Sequence, residues 1–426
     1  MLHILSMKNE TKSMKIRPIA DAEIFRVPLS QHIGSPAIPV VKSGDHVKQY
    51  QLIGQGGKGC SANIHAPVSG SVIGIEDLTL PGNQKVQAVI LKNDFKNEEV
   101  EASSETVSHD SVADILREKG IVGEGGAQFP TALKYAPDER GQLQTLIVNG
   151  TECEPYLSAD YALMNERTEE ILKGAEILRS FMQIKEVVIV IENQNKELID
   201  KFEPFLQRKE YGCYRIQLLP DAYPQGGELQ VIKSVTGIEI PRGQLPKTAG
   251  VVVNNAGTVY SVYQAVEKHK PLVSRIITVS GEEAGTVGNF EVKIGTPVSH
   301  VLKELGISPE GKNVILGGPM MGKYVSDTDV PVIKGSSGIL LLKERDRQHG
   351  HCISCGYCVE ACPMHLMPMK FEESMRKGRY KQLADYGLNN CIECAACEYV
   401  CPANVALIES IKNGKMKLKQ LSNETK

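Results

Sequence analysis

Hydrophobic positions along the chain change period several times, and each change marks a different kind of element. From Val27 to about Lys92 apolar residues come in short alternating runs broken by glycine, as in Ile38 to Val47 around Gly44-Asp45 and again in Ile64 to Ile75; this predicts short strands and turns. Residues 93 to 110 are rich in Glu, Asp and Ser and read as a linker. After an amphipathic run from Ser111 to Lys119, strand-like and helix-like segments alternate. Leu146 to Val148, Val187 to Ile191, Leu218-Leu219 and Val251 to Val253 are strand-like, and Glu166 to Gln183 carries Ile171, Leu172, Ala175, Leu178 and Phe181 at helical spacing. Such alternation predicts a mostly parallel α/β domain over 111–268. Between 271 and 342 the order becomes strand (Arg275–Val279), short helix (Pro297–Leu305), strand (Asn313–Leu316) and strand (Gly338–Leu342). From Phe371 to Ala384, and from Val405 to Ile411, helical spacing returns.

These patterns predict a multidomain α/β protein. An N-terminal extension (1–26) precedes a unit over 27–92 that resembles a biotinyl/lipoyl-like β-sandwich. The linker and the α/β domain follow, then a unit over 269–345 suited to a β-grasp (SLBB-like) module, a helical cysteine-rich domain over 346–411 and a basic tail over 412–426. In carrier domains of the sandwich type a lysine on the tight turn is modified; Lys58, between glycines, lacks the expected neighbours and reads as a solvated loop lysine. Gly317-Gly318-Pro319-Met320-Met321 reads as a turn packing its methionines on a neighbouring domain. Cys153 and Cys213 stand alone and read as small buried hydrophobes.

Composition is that of an ordinary globular protein, with 41% hydrophobic and 23% charged residues. A net charge of −3 gives no sign of a nucleic-acid partner. No apolar run approaches the roughly 18 residues of a membrane span, and the N-terminus lacks the apolar core of a signal peptide.

The strongest chemical signal lies between 352 and 402, which holds eight of the eleven cysteines. Cys352, Cys355, Cys358 and Cys362-Pro363 form one C-x2-C-x2-C-x3-C-P run, and Cys391, Cys394, Cys397 and Cys401-Pro402 form a second. Zinc sites usually offer two C-x2-C pairs, and disulfide frameworks suit small secreted chains. Two four-cysteine runs each closed by Cys-Pro instead point to two [4Fe–4S] clusters, in which the fourth cysteine of each run serves the other cluster. The expected sets are Cys352, Cys355, Cys358 and Cys401, and Cys391, Cys394, Cys397 and Cys362. Thiolate ligands without an export signal point to the reducing cytoplasm.

A second signal is the glycine loop Gly123-Glu124-Gly125-Gly126, running to Pro130-Thr131. Its glycines can bring backbone N–H groups to an anion, and a helix opening near Pro130 would add its dipole. The strands ending at Asn149-Gly150-Thr151-Glu152 and at Asn254-Asn255, with the turn Tyr223 to Glu228, put amides and carboxylates where open α/β sheets bind ligands.

Taken together, the glycine loop, Asn149 to Pro155, Tyr223 to Glu228, Asn254-Asn255 and the paired cysteine runs resemble the RnfC family, the peripheral subunit of the Rnf ferredoxin:NAD oxidoreductase complex. The likeness covers nearly the whole chain, and the α/β part is also similar to the flavin- and NADH-binding subunit of respiratory complex I. The resemblance implies FMN held by Gly123, Gly125, Gly126 and Lys134, with Asn149, Glu152, Tyr223, Glu228, Asn254 and Asn255 around it. It implies that Phe129 stacks on the nicotinamide of NAD(H) and that Glu154 contacts NADH. Implied partners are the membrane subunits of an Rnf-type translocase complex and a soluble ferredoxin. The implied place is the cytoplasmic inner face of the membrane, as a peripheral protein. Hydride transfer needs no side-chain acid or nucleophile, and none is nominated. Gln128 stands where the family usually has glycine, and Glu124 adds a negative charge to a phosphate-binding turn. Soluble reductases of the same architecture, among them cobalamin reductases and a proline-reductase electron-transfer protein, and a relay that has lost its flavin, are the alternative readings.

Overall fold

The structure, a computed structural model, describes residues 1–101, 112–126, 128–344 and 348–424. The N-terminal residues are woven into the body of the protein. A single helical turn, α1 (Asn9–Lys12), leads to β1 (Arg17–Pro18). The chain then builds a two-sheet sandwich from β2 (Ile24–Pro28), β3 (Ile38–Pro39), β4 (His46–Val47), β5 (Leu52–Gln55), β6 (Ile64–His65), β7 (Gly70–Leu80) and β8 (Gln84–Asn93). One sheet runs β2-β8-β7-β4 and the other β3-β5-β6. Phe25, Val27, Val47, Ile53, Ile64, Val72, Val89 and Leu91 fill the space between them. Lys58 lies exposed on a loop outside both sheets. At Gly70 a Cβ would meet the Lys92 carbonyl at 2.0 Å, so only glycine lets β7 start against β8.

The α/β unit contains α2 (Val112–Glu118), β9 (Thr145–Asn149), α3 (Ala159–Glu166), α4 (Thr168–Met182), β10 (Glu186–Glu192), α5 (Ile199–Leu206), β11 (Tyr214–Leu219), α6 (Glu228–Thr236), β12 (Val251–Asn255) and α7 (Ala256–Glu267). Its sheet is wholly parallel, in the order β11-β10-β9-β12. Alternate residues explain the unbroken apolar runs of the strands. Leu146, Val148, Val187 and Ile189 pack under α2, α4 and α7, whereas Ile147, Val188, Val190 and Val253 pack on α6. In register, Asn255 pairs with Asn149 and Asn254 with Val148, so both asparagine motifs end at one carboxyl edge.

The next unit comprises β13 (Ser274–Ser280), β14 (Gly288–Lys293), α8 (Val298–Glu304), β15 (Lys312–Leu316), β16 (Lys323–Tyr324) and β17 (Gly338–Lys343). These strands and β1 form a six-stranded mixed sheet in the order β1-β14-β13-β17-β15-β16, with α8 closing its core. Sequence reading missed β14, whose Asn289, Glu291 and Lys293 interrupt the only apolar pair, Phe290 and Val292.

The last unit is helical: α9 (Tyr357–Glu360), α10 (Pro368–Arg376), α11 (Gln382–Asp385), α12 (Ala396–Tyr399) and α13 (Leu407–Glu424) surround Phe371, Leu383, Leu388 and Ile411. The expected short terminal helix and basic tail are one continuous helix, α13, and Lys415 on it donates to the Cys391 carbonyl at 2.7 Å. Among the described residues no helix is long and apolar enough to cross a membrane.

Candidate functional site

The glycine loop is a tight hairpin. Gly123 N–H donates to the Phe129 carbonyl at 2.8 Å, and Thr131 N–H to that of Ile121 at 3.0 Å. The helix expected at Pro130 is a single 3-10 turn, Thr131–Lys134. Pro137 accounts for its brevity, because it holds Ala136 extended at φ −67, ψ 130. A helix dipole therefore adds little here, and the loop's own N–H groups remain. Gly126, at φ +112, would have nothing within 4 Å of a Cβ, so the loop's tip opens on free space as a cradle for a ligand would.

Around that opening the strand ends are already ordered by their own bonds. Lys134 Nζ donates to the Val253 carbonyl at 2.8 Å and to Glu228 at 3.2 Å, which fixes a cation under the carboxyl end of β12. Asn149 Nδ2 donates to the Gly226 carbonyl at 3.0 Å, and its Oδ1 accepts from Thr151 N at 3.1 Å. Asn254 donates to the buried Tyr135 hydroxyl. Asn255 Oδ1 caps α7 through Gly257 N at 2.8 Å, while its Nδ2 donates to Asp160 at 2.6 Å. Glu152 accepts from the N–H groups of Asp160 and Tyr161 at the start of α3, and burial raises its carboxyl to about 8. Lys8 donates to the Glu152 carbonyl, which makes a buried N-terminal residue part of this strand end. The lone Cys153 is nearly enclosed beside it, and burial lifts its thiol to about 12.

Four residues take partners that their sequence context did not suggest. Glu124 does not face the loop opening. It turns inward, 7% exposed, onto Arg275 of β13 at 2.6 Å and onto Ser261 of α7, while its N–H donates to Thr258 Oγ1 at 2.9 Å. Gln128, at φ +51, does not narrow the opening either; its amide lies against Gly335, where a Cβ would come within 1.7 Å of it. Glu154 is engaged by the 317–321 turn, accepting from Met320 N at 2.9 Å and Met321 N at 2.8 Å. Tyr223 is 1% exposed and donates its hydroxyl to the Cys394 carbonyl at 2.7 Å, so that group meets the cysteine-rich domain and not a flavin. Phe129 stays partly exposed on the hairpin. Arg275 and Lys8 were missed because their partners lie more than a hundred residues away in sequence.

Burial raises the Glu154 carboxyl to about 7, against the pull of the two turn N–H groups. A folded-state value above the ordinary one of about 4.5 means stability present at low pH and lost as pH rises through 7. The full effect is roughly 3 kcal/mol. Glu154→Gln, neutral throughout, is expected to flatten that part of the stability curve between pH 5 and 8 in anaerobic thermal unfolding. Parallel curves for the two proteins would contradict it.

The cysteine runs share one backbone design. Each has left-handed residues at equivalent places: Ser354, Gly356 and His365 in the first run, Glu393, Ala395 and Asn404 in the second. Each ends with a matching N–H to sulfur bond, Leu366 to Cys362 at 3.3 Å and Val405 to Cys401 at 3.4 Å. Cys362, Cys391, Cys394 and Cys397 line one cavity, although Cys362 belongs to the other run. At the opposite end Gly350 N donates to the Ala403 carbonyl at 3.0 Å, which brings the start of the first run beside the end of the second. Cys394 and Cys397 are buried, whereas Cys352 and Cys355 are exposed.

Comparison with known proteins agrees with this geometry. Residues 116–264 match the Nuo51 FMN-binding domain, 2–96 the RnfC barrel sandwich hybrid domain and 351–405 a 4Fe–4S dicluster domain. FMN and two [4Fe–4S] clusters are thus the cofactors of these domains, and the open glycine cradle and the two thiol sets fit them. The second match also takes in the N-terminal residues read as an extension. The RnfC-type subunit of the proton-translocating ferredoxin:NAD(+) oxidoreductase complex of Clostridium ljungdahlii is 39% identical over 87% of this chain and 82% of its own. The corresponding subunit of the ion-translocating oxidoreductase complex of Rhodobacter capsulatus is 36% identical over 98% and 82%. That of the Na(+)-translocating ferredoxin:NAD(+) oxidoreductase complex of Acetobacterium woodii is 34% identical over 84% and 82%. Among solved structures, an NAD+-reducing [NiFe]-hydrogenase chain shares the fold over 73% of this chain and 61% of its own, with a TM-score of 0.52 and 17% identity. An FMN-type α/β domain, a dicluster domain and these relatives lead to one assignment: the chain belongs to the RnfC family of ion-translocating oxidoreductase complexes.

Proposed function

We propose that this chain is the NAD(H)-linked electron-transfer subunit of an Rnf-type ferredoxin:NAD oxidoreductase complex. The observation that carries the proposal is the joining, in one body, of the open glycine cradle at a parallel-sheet edge and two thiol sets. FMN takes a hydride as two electrons and releases them singly, the form in which [4Fe–4S] clusters accept them. The N–H groups of Gly123, Gly125 and Gly126 and the Lys134 ammonium would hold the flavin phosphate, with Asn149, Glu152, Glu228, Asn254 and Asn255 shaping the cradle. Phe129, partly exposed on the hairpin, would stack on the nicotinamide. Glu154 would reach NADH only by releasing Met320 and Met321. One cluster would be held by Cys391, Cys394, Cys397 and Cys362, the other by Cys352, Cys355, Cys358 and Cys401. The exposed Cys352 and Cys355 put the second cluster on the side open to a partner. That partner would be a membrane subunit of the complex or a ferredoxin, with the chain peripheral on the cytoplasmic face of the membrane. At the finer level of fold we read the sandwich as biotinyl/lipoyl-like. The β13-β14-α8-β15-β17 order supports a β-grasp (SLBB-like) unit, and helices around both cysteine runs support a helical ferredoxin-like domain.

Anaerobic reconstitution tests the proposal. The full chain is expected to take up one FMN and about eight irons, and NADH is expected to bleach the flavin before the clusters are reduced. Full iron loading with no flavin bound, or a bound flavin that NADH leaves oxidised, would refute it.

A further inference from the structure

Four separate stretches of the chain close on Tyr223. Its hydroxyl donates to the Cys394 carbonyl at 2.7 Å. Its backbone pairs in both directions with Leu2, at 2.9 and 2.7 Å. Tyr223, Cys394 and Ala396 form a buried apolar cluster against which Leu2, Ile4, Cys153, Met320 and Ile392 pack. Met320 is held there by the Glu154 carboxylate. The contact therefore joins the turn beside the candidate flavin cradle to a loop bearing cysteines of the buried set, and apolar side chains surround it. Resting on the function proposed above, we infer that Tyr223 is a positioning residue for electron hand-off. It pins the 391–397 loop against the flavin domain, and Leu2, Ile4 and Met320 keep water out of the gap.

The step itself is the passage of one electron, with no bond made or broken. The tyrosine keeps its proton, since burial beside Glu154 and Cys153 drives its ionisation far out of the working range. Electron transfer weakens steeply with distance, so a loop that is undocked part of the time transfers more slowly even with both cofactors intact. The N-terminal residues, which look like a polar extension in the sequence, thereby become part of the electron path's cover.

Tyr223→Phe, made in the full chain and reconstituted anaerobically, removes only the hydroxyl. Iron content and the NADH-driven bleaching of the flavin are expected to stay as in the parent. Reduction of the cluster of 391, 394 and 397, followed by freeze-quench electron paramagnetic resonance, is expected to slow by about ten-fold, the population change that losing one such hydrogen bond can bring. Deuterium exchange at 391–397 should rise while that at 352–358 stays put. Unchanged exchange at 391–397 would overturn the inference, as would equal slowing of flavin and cluster reduction. If NADH does not bleach the flavin even in the parent protein, the proposed function has failed, and the exchange measurement still decides the positioning role. Should Tyr223→Phe fail to load iron, Met320→Ala leaves the hydroxyl in place and opens the cover; it is expected to raise exchange in the same loop, and no rise there overturns the inference.

Discussion

Changing Cys362 to serine is expected to abolish the cluster built mainly by the other run, that of Cys391, Cys394 and Cys397, and to spare the one built by Cys352, Cys355 and Cys358. Cys362 is separated from the second run by α10 and α11, yet its sulfur lines the same cavity as Cys391, Cys394 and Cys397. The Leu366 N–H that points at this sulfur fixes its direction, and the repeated left-handed turns set the other three around it. A serine hydroxyl at that place is a far weaker iron ligand than a thiolate. Iron is expected to fall from about eight to about four atoms per chain, with one of two reduced-cluster resonance signals lost. The surviving signal should be the one removed by Cys401→Ser. Loss of the cluster of its own run instead would refute the crossed arrangement, and retention of all the iron would show that Cys362 is no ligand.

Much of this architecture is legible in the sequence because the physics that decides it is local. Strands buried on both faces of a parallel sheet need apolar residues at every position, and Val187 to Ile191 and Val251 to Val253 show that pattern directly. Cluster loops need cysteines at fixed short spacing. Features decided by distant partners are not legible in this way. Glu124 reads as a charge beside a phosphate until Arg275, on another sheet, turns it inward. Asn9 to Pro18 look solvent-facing until Thr11 is buried against Ser158 and β1 finds β14. The final helix carries lysines throughout, and only its Leu407 and Ile411 contacts reveal that its first turns are core.

Removing Arg275 should be costly in two measurable ways. Its guanidinium is 4% exposed on the side chain and is the partner of a carboxylate 7% exposed. It also donates to the Glu124 carbonyl and stabilises the charge on buried Asp160, which in turn holds Asn255. Breaking a buried pair by deleting one member leaves the other charged and unpaired, a loss of about 3–5 kcal/mol. Arg275→Met is therefore expected to lower the anaerobic denaturation midpoint sharply. It should also weaken FMN binding, read by flavin fluorescence titration, because Glu124 anchors the loop that bears Gly123, Gly125 and Gly126. The deficit should depend on pH with a definite sign. Without the guanidinium, burial raises the Glu124 carboxyl further, so the carboxyl is comfortable when protonated and the deficit grows as pH rises from about 5 to 8. Pairing Arg275→Met with Glu124→Gln leaves no lone buried charge and should recover most of the stability, but not the flavin affinity, since the loop has lost its anchor. A single variant as stable as the parent at pH 8 would show that the pair does not hold the loop. Full recovery of flavin binding in the double variant would assign Arg275 a purely structural part, with the glycines orienting the cradle by themselves.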